Sequence, residues 1–166
     1  MPSQKAVIGV IGATEASKEN YQLAYELGTH IAARGAALVC GGLGGIMEAA
    51  SKGASENGGT VIGILPGLDK KVANPFVNFV IPSGLGISRN VLVVHSSDVI
   101  IAFPGSFGTL SEIALALATG KTVIYFTGTW DLKRIGTVDA SRFKEAVDPR
   151  QAIGLALDSL RISQKE

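Results

Sequence analysis

The sequence predicts a Rossmann-like three-layer α/β/α sandwich with a mainly parallel central sheet, and three observations carry that expectation. Apolar runs of strand length alternate with helical stretches and short turns along the chain. The run Asp98-Val99-Ile100-Ile101-Ala102-Phe103 is apolar at consecutive positions, as a strand covered on both faces must be. With 46% hydrophobic and 17% charged residues, the 166-residue chain is more apolar and less charged than an average soluble domain. A sheet covered on both faces and a large subunit interface would each produce that balance, and both are expected.

Lys5 to Gly12 reads as the first strand, and Ser17 to Arg34 as a helix capped by Ser17 and stopped by Gly35. Ala36 to Cys40 follows as a strand, and Gly45 to Asn57 as a helix ended by Gly58-Gly59. Thr60 to Leu65 is a strand stopped at Pro66-Gly67; Leu68 to Asn74 is an exposed loop, and Phe76 to Ile81 a short strand. A helix covers Ile87 to Ser96, the strand from Asp98 comes next, and a helix begins at Thr109. Thr122 to Phe126 is a further strand, whereas Thr127 to Ala140 shows no clear period. The chain closes with an extended piece from Phe143 to Val147 and a helix opened by Asp148-Pro149-Arg150-Gln151, a capping box with proline at its first position. Length and the absence of a linker or repeat make residues 1–166 one expected domain.

A net charge of +1 offers no electrostatic case for nucleic acid or a membrane surface. Met1-Pro2-Ser3-Gln4-Lys5 leads into the first strand without a signal-peptide pattern, no apolar run is long enough to span a bilayer, and a cytoplasmic protein is expected. The one cysteine, Cys40, excludes an intrachain disulfide, and His30 and His95 alone make no metal-ligand cluster, so no protein-held metal is expected.

Ligands of open parallel sheets bind beyond the carboxyl ends of the strands, where the winding direction reverses. Three glycine turns belong on that edge: Gly12-Ala13-Thr14, Gly41-Gly42-Leu43-Gly44-Gly45 and Pro104-Gly105-Ser106-Phe107-Gly108-Thr109. In the third, an apolar strand runs through the turn into a helix whose first N–H groups and positive dipole end suit a phosphate or carboxylate. The first turn is no dinucleotide fingerprint, because no third glycine follows Gly9 and Gly12 at the required spacing, and a nicotinamide redox enzyme is rejected.

The order Gly41-Gly42-Leu43-Gly44-Gly45-Ile46-Met47-Glu48-Ala49-Ala50, Arg89, then Pro104-Gly105-Ser106-Phe107-Gly108-Thr109-Leu110-Ser111-Glu112 resembles the LOG-like (LONELY GUY) superfamily, once labelled "lysine decarboxylase-like". No pyridoxal-binding lysine motif accompanies that label. The resemblance implies one of two activities. In the phosphoribohydrolase branch, which cleaves nucleoside 5′-monophosphates to free base and ribose 5-phosphate, the residues matching Arg89 and Glu112 are catalytic. A carboxylate there stabilises oxocarbenium character or activates water, while a cation binds phosphate or orients that carboxylate. In the molybdenum cofactor carrier branch, the protein binds the phosphorylated pterin (molybdopterin) and protects it for transfer to molybdoenzymes.

Departures from the hydrolase pattern favour the carrier branch: Asn90 where those enzymes carry lysine, Ile113 for a second glutamate, Ser106 for a second glycine and Glu48 for a glycine. The run through Ala54 and Gly63-Ile64-Leu65-Pro66-Gly67 also resembles carrier sequences. The expected binding residues are Gly12, Ala13, Thr14, Gly41, Gly42, Gly44, Gly45, Arg89, Asn90, Pro104, Gly105, Ser106, Phe107, Gly108, Thr109 and Glu112, with Arg89 and Glu112 catalytic only in a hydrolase.

Each residue also has a plainer reading. Thr109-Leu110-Ser111-Glu112 is itself a capping box, Arg89 suits a salt bridge or a snorkelling surface position, and Thr14 suits the start of the first helix. Ser106 fits an anion donor or a small turn residue equally. Glu48 reads as a solvated or salt-bridged acid, His30 and His95 as helix-surface residues, and Cys40 as a buried inert thiol. Phe126 and Trp130 suit a stacked pterin or base, or the core and a lid. Val91-Leu92-Val93-Val94 is apolar at consecutive positions, which predicts burial on more than one face and a two-fold subunit contact; the resemblance implies a homodimer or homotetramer, and if that helix is interfacial Arg89 needs the assembly to be positioned. A ligand-sensing or structural oligomer with neither activity is the third reading.

Overall fold

The computed structural model describes residues 5–130, 132 and 138–163. The expectations for Met1 to Gln4, and for 131 and 133–137 within the irregular stretch, lie outside the described residues.

The strands are β1 (Val7–Ile11), β2 (Ala37–Cys40), β3 (Thr60–Leu65), β4 (Phe79–Pro82), β5 (Val99–Ala102), β6 (Val123–Phe126) and β7 (Phe143–Ala146). They form one seven-stranded sheet in the order β4-β3-β2-β1-β5-β6-β7, and every pairing is parallel. The helices are α1 (Lys18–Ala33), α2 (Ile46–Glu56), α3 (Asn90–His95), α4 (Phe107–Ala118) and α5 (Pro149–Ser163). Winding runs outward from β1 through β2 to β4, then returns to β5 on the other side, so the reversal lies between β1 and β5.

Alternate residues of each strand feed two cores. Ile8, Val10, Leu38, Cys40, Val99, Ile101 and Phe103 pack with α1, α2 and α5, while Ile11, Val39, Ile100 and Ala102 pack with α3 and α4. Burial of both faces accounts for the unbroken apolar strand from Val99, and Phe103 continues it, its ring stacked on Phe126 with centroids 4.4 Å apart. Phe126 is therefore a core residue.

The local end signals act as the sequence predicts. Ser17 caps α1 by accepting the Asn20 N–H at 3.1 Å, and Asp148 Oδ1 accepts the Gln151 N–H at 2.7 Å while the Gln151 side chain accepts the Val147 N–H. Ser17 holds the cap, so Thr14 does not start α1. On the facing sides of α1 and α2, a Cβ at Gly28 would strike the Ala50 carbonyl and one at Gly53 the Tyr25 carbonyl, so the two helix backbones touch.

Three expectations are corrected. The strand expected at Phe76 begins at Phe79, because Asn74 Oδ1 accepts the Phe76 N–H at 3.1 Å and holds that stretch in an Asx turn. The helix expected from Ile87 is divided into a 3-10 turn, Gly86–Arg89, followed by α3; Gly86, at φ 56°, donates its N–H to the Pro66 carbonyl and fixes a tight entry. The helix expected from Thr109 starts at Phe107 with Ser106 as its N-cap, which places Thr109 inside the first turn and removes Thr109-Leu110-Ser111-Glu112 as a capping box. Within the exposed Leu68 to Asn74 loop, Lys70–Val72 forms a 3-10 turn and Asn74 is buried, its side-chain amide donating to the Leu43 carbonyl at 3.0 Å.

Candidate functional site

One cleft opens at the carboxyl ends of β1, β2 and β5, where the winding reverses. The structure brings Gly12, Ala13, Thr14, Gly41, Arg89, Asn90, Ser106, Gly108, Thr109 and Glu112 to its wall. Gly42, Gly44, Gly45, Pro104, Gly105 and Phe107 stand outside that lining. Gly45, at φ 62°, packs on the Ala13 carbonyl, and Gly105 lies so close to Thr109 that a Cβ would strike its side chain. Phe107 is 77% exposed and tilts against Trp130, with ring centroids 5.8 Å apart.

The glycine turns are not equivalent as donors. Ala13 donates its N–H to the Pro104 carbonyl at 3.1 Å and accepts the Ile46 N–H at 3.0 Å, so the first amide of α2 is bonded within the protein. At α4 the Ser106 side chain makes no capping bond, and first-turn N–H groups have no acceptor within their own helix. Ser106, Gly108 and Thr109 carry that helix end to the cleft wall, where the positive end of the dipole acts on whatever enters.

Arg89 and Glu112 lie behind this turn, 8% and 6% exposed. Arg89 Nη1 donates to Asn90 Oδ1 at 2.8 Å, Nη2 donates to the Gly41 carbonyl at 3.3 Å, and Nε is buried with no partner among the described residues. The guanidinium lies flat against Gly41, where a Cβ would collide with it. Glu112 Oε1 is 3.9 Å from Arg89 Nη1, an ion pair beyond hydrogen-bond reach. Burial pushes the Glu112 carboxyl up to about 7 from its ordinary 4.5, and Arg89 only partly opposes that shift. Burial also draws the Arg89 guanidinium below its ordinary range, against the pull of Glu112 and Cys40. The snorkelling reading of Arg89 gives way to a buried one.

Sequence reasoning missed Val10, Ile11, Met47, Pro66, Gly86 and Ile87, which also line the cleft. Pro66 follows β3 on the same edge and marks a fourth strand-end turn that the sequence displays. Cys40 is fully buried, accepting the Gly42 N–H at 3.3 Å, and burial pushes its thiol up. Glu48 is half-buried and accepts the Tyr21 hydroxyl at 3.2 Å. His30 is half-buried and His95 exposed, and among the described residues no group of three or more His, Cys, Asp or Glu is placed to hold a metal.

The model of the SLOG cluster4 family matches residues 5–154. The solved structure of the molybdenum cofactor binding protein from the phototrophic bacterium Rippkaea orientalis superposes with a TM-score of 0.88 at 38% identity, covering 95% of this chain and 98% of that one. The molybdenum cofactor carrier protein from Chlamydomonas reinhardtii superposes with a TM-score of 0.86 at 36% identity, covering 95% and 99%. A cytokinin riboside 5′-monophosphate phosphoribohydrolase of Arabidopsis thaliana is 31% identical over 73% of this chain and 55% of its own length, so the chain spans about half of that relative.

Proposed function

The chain belongs to the SLOG cluster4 family of the LOG-like superfamily, and from that premise we propose that it is a carrier for the phosphorylated molybdenum cofactor. The observation that carries the proposal is the helix end of α4, uncapped by the Ser106 side chain, set beside a buried guanidinium whose carboxylate neighbour Glu112 stands 3.9 Å away, beyond hydrogen-bond reach. Phosphate binds the first-turn N–H groups of Ser106 to Thr109, and Arg89 and Asn90 supply the polar wall. Gly12 to Thr14 and Gly41 form the remaining walls, with Gly42, Gly44 and Gly45 behind them, while Pro104, Gly105 and Phe107 set the bend and rim of the phosphate turn. The donor set fits a phosphoryl or oxo-anionic group, and the cofactor is cargo held by its anionic end. Recipient molybdoenzymes then take it up in the cytoplasm.

The cleft measures about 190 Å³, below the roughly 300–1,000 Å³ of pockets that enclose a whole ring-bearing ligand. The ring system therefore extends past the rim, and a second copy of the chain covers it. The sheet supports this arrangement. Phe79 and Ile81 stand in register with Ile62 and Ile64 on the face that α3 and α4 cover, but the six-residue α3 is too short to reach them. Phe79 is 60% and Ile87 72% exposed, and Val91 and Leu92 continue the apolar surface from Ile87 at the cleft wall. Val93 and Val94, by contrast, pack inward.

A second reading, nucleoside 5′-monophosphate hydrolysis, rests on Arg89 and Glu112 facing each other, with a carboxyl near 7 suited to general-base work. Ile113 weighs against it, because the position where the resemblance implies a second acid is a fully buried core residue here. Incubation with adenosine monophosphate, following free adenine by chromatography, separates the readings. The carrier reading expects no turnover and micromolar or tighter binding of molybdopterin; turnover abolished by Glu112→Gln, or no molybdopterin binding by the assembled protein, overturns it.

A further inference from the structure

We propose that Asn90 is a positioning residue that holds the Arg89 guanidinium away from Glu112 and so keeps the positive charge of the cleft available to an anionic ligand. The inference deepens the anion-binding reading of the cleft and rests on it.

A guanidinium and a carboxylate buried side by side ordinarily close to about 2.7–2.9 Å, often through two parallel bonds. Here the nitrogen nearest the carboxylate, Nη1, bonds instead to the neutral Asn90 Oδ1 at 2.8 Å, and Glu112 stays at 3.9 Å. The Gly41 carbonyl holds Nη2, so both terminal nitrogens have uncharged acceptors.

Asn90 cannot turn to suit the pair, because its other end is anchored. Its Nδ2 donates to Ser111 Oγ at 3.2 Å and to the Gly108 carbonyl at 3.4 Å. Ser111 Oγ in turn donates to the Gly108 carbonyl at 2.7 Å, which leaves it an acceptor toward Asn90. These acceptors fix Nδ2 toward α4 and Oδ1 toward Arg89, tying the 3-10 turn to the first turn of α4. A lysine at 90, as the resemblance to the hydrolases implies for them, has no acceptor to offer the guanidinium.

Among the described residues, three titratable groups meet here: Arg89 from the 3-10 turn, Glu112 from α4 and Cys40 from the end of β2. The Cys40 thiol is pushed up and keeps its proton at neutral pH. The balance of charge in the cleft is thus set by how closely Arg89 and Glu112 approach.

The test compares wild type, Asn90→Leu and Ser111→Ala in two measurements. The first follows the Glu112 carboxyl by carbon-13 NMR from pH 5 to 9, assigned by loss of the signal in Glu112→Gln. The second titrates sulfate, a tetrahedral dianion whose own charge stays constant over that range. Without the Asn90 acceptor, Arg89 closes on Glu112, so the carboxyl midpoint falls by about one pH unit or more and sulfate binding at pH 7 weakens about tenfold. Ser111→Ala, an exposed change that spares the fold, moves both readouts the same way by less. An unchanged Glu112 midpoint in both variants overturns the role of Asn90. Failure of wild type to bind sulfate at any pH overturns the anion-cleft reading beneath it, whatever the carboxyl titration shows.

Discussion

Gly41 and Arg89 occupy each other's space: the backbone of Gly41 forms the bed on which the Arg89 guanidinium lies, with Nη2 donating to its carbonyl. Gly41→Ala therefore displaces the guanidinium rather than the strand end, since the colliding atoms belong to a flexible side chain. The variant is expected to fold with a loss of about 1–3 kcal/mol and to bind sulfate about tenfold more weakly by calorimetry. Affinity equal to wild type would remove Arg89 from the ligand contacts.

Glu112 makes the stability of the fold depend on pH. Its carboxyl sits at about 7 in the native state and at its ordinary 4.5 when unfolded, so the native state binds a proton that the unfolded chain has released. The contribution of Glu112 to stability is fully present below pH 4.5, is lost as pH rises through the window to 7 and levels off above it, by about 3 kcal/mol in all. Glu112→Gln is expected to flatten that slope and to exceed wild type in stability at pH 8, as read by urea unfolding at several pH values.

Ile87 joins the cleft wall to the bare apolar surface of β4 and α3. Phe79→Asp, on that surface but outside the cleft lining, is expected to shift the protein to monomer in analytical ultracentrifugation and to weaken ring-bearing ligands while leaving sulfate binding near wild type. A monomeric wild type would separate the cleft from any assembly.

Ser17→Ala removes the side-chain acceptor of the Asn20 N–H. The expected cost is about 1 kcal/mol, a fall in Tm of roughly 2–4 °C for a chain of this size. Ligand affinity should be unchanged, because Ser17 lies outside the cleft lining.

Legibility in the sequence follows the range of the forces involved. Ser17 and the Asp148-Gln151 box act over one helical turn and are visible in a few residues. The apolar strands and their glycine turns announce a parallel sheet for the same reason. The start of α4 was obscured because Thr109 and Glu112 have capping-box spacing, whereas the cap is Ser106 and Glu112 turns inward to Arg89. Residues such as Pro66 and Ile87 reach the cleft only through the packing of β3 and the 3-10 turn against β1 and β5, a long-range outcome with no short motif. The difference in donor capacity between the glycine turns also escapes the sequence, since it depends on Ala13 bonding to Pro104 and Ile46 across the sheet edge.

The contact of α1 and α2 at Gly28 and Gly53 has a consequence at the far end of those helices. Each helix follows a strand-end turn, Gly12 to Thr14 ahead of α1 and Gly41 to Gly45 ahead of α2, so the contact of the two backbones braces both turns against each other. Under the carrier reading, a ligand entering the cleft meets walls already in place. Loading it then carries little entropic penalty of ordering, and release is governed by the grip on the anion instead of by the opening of the fold.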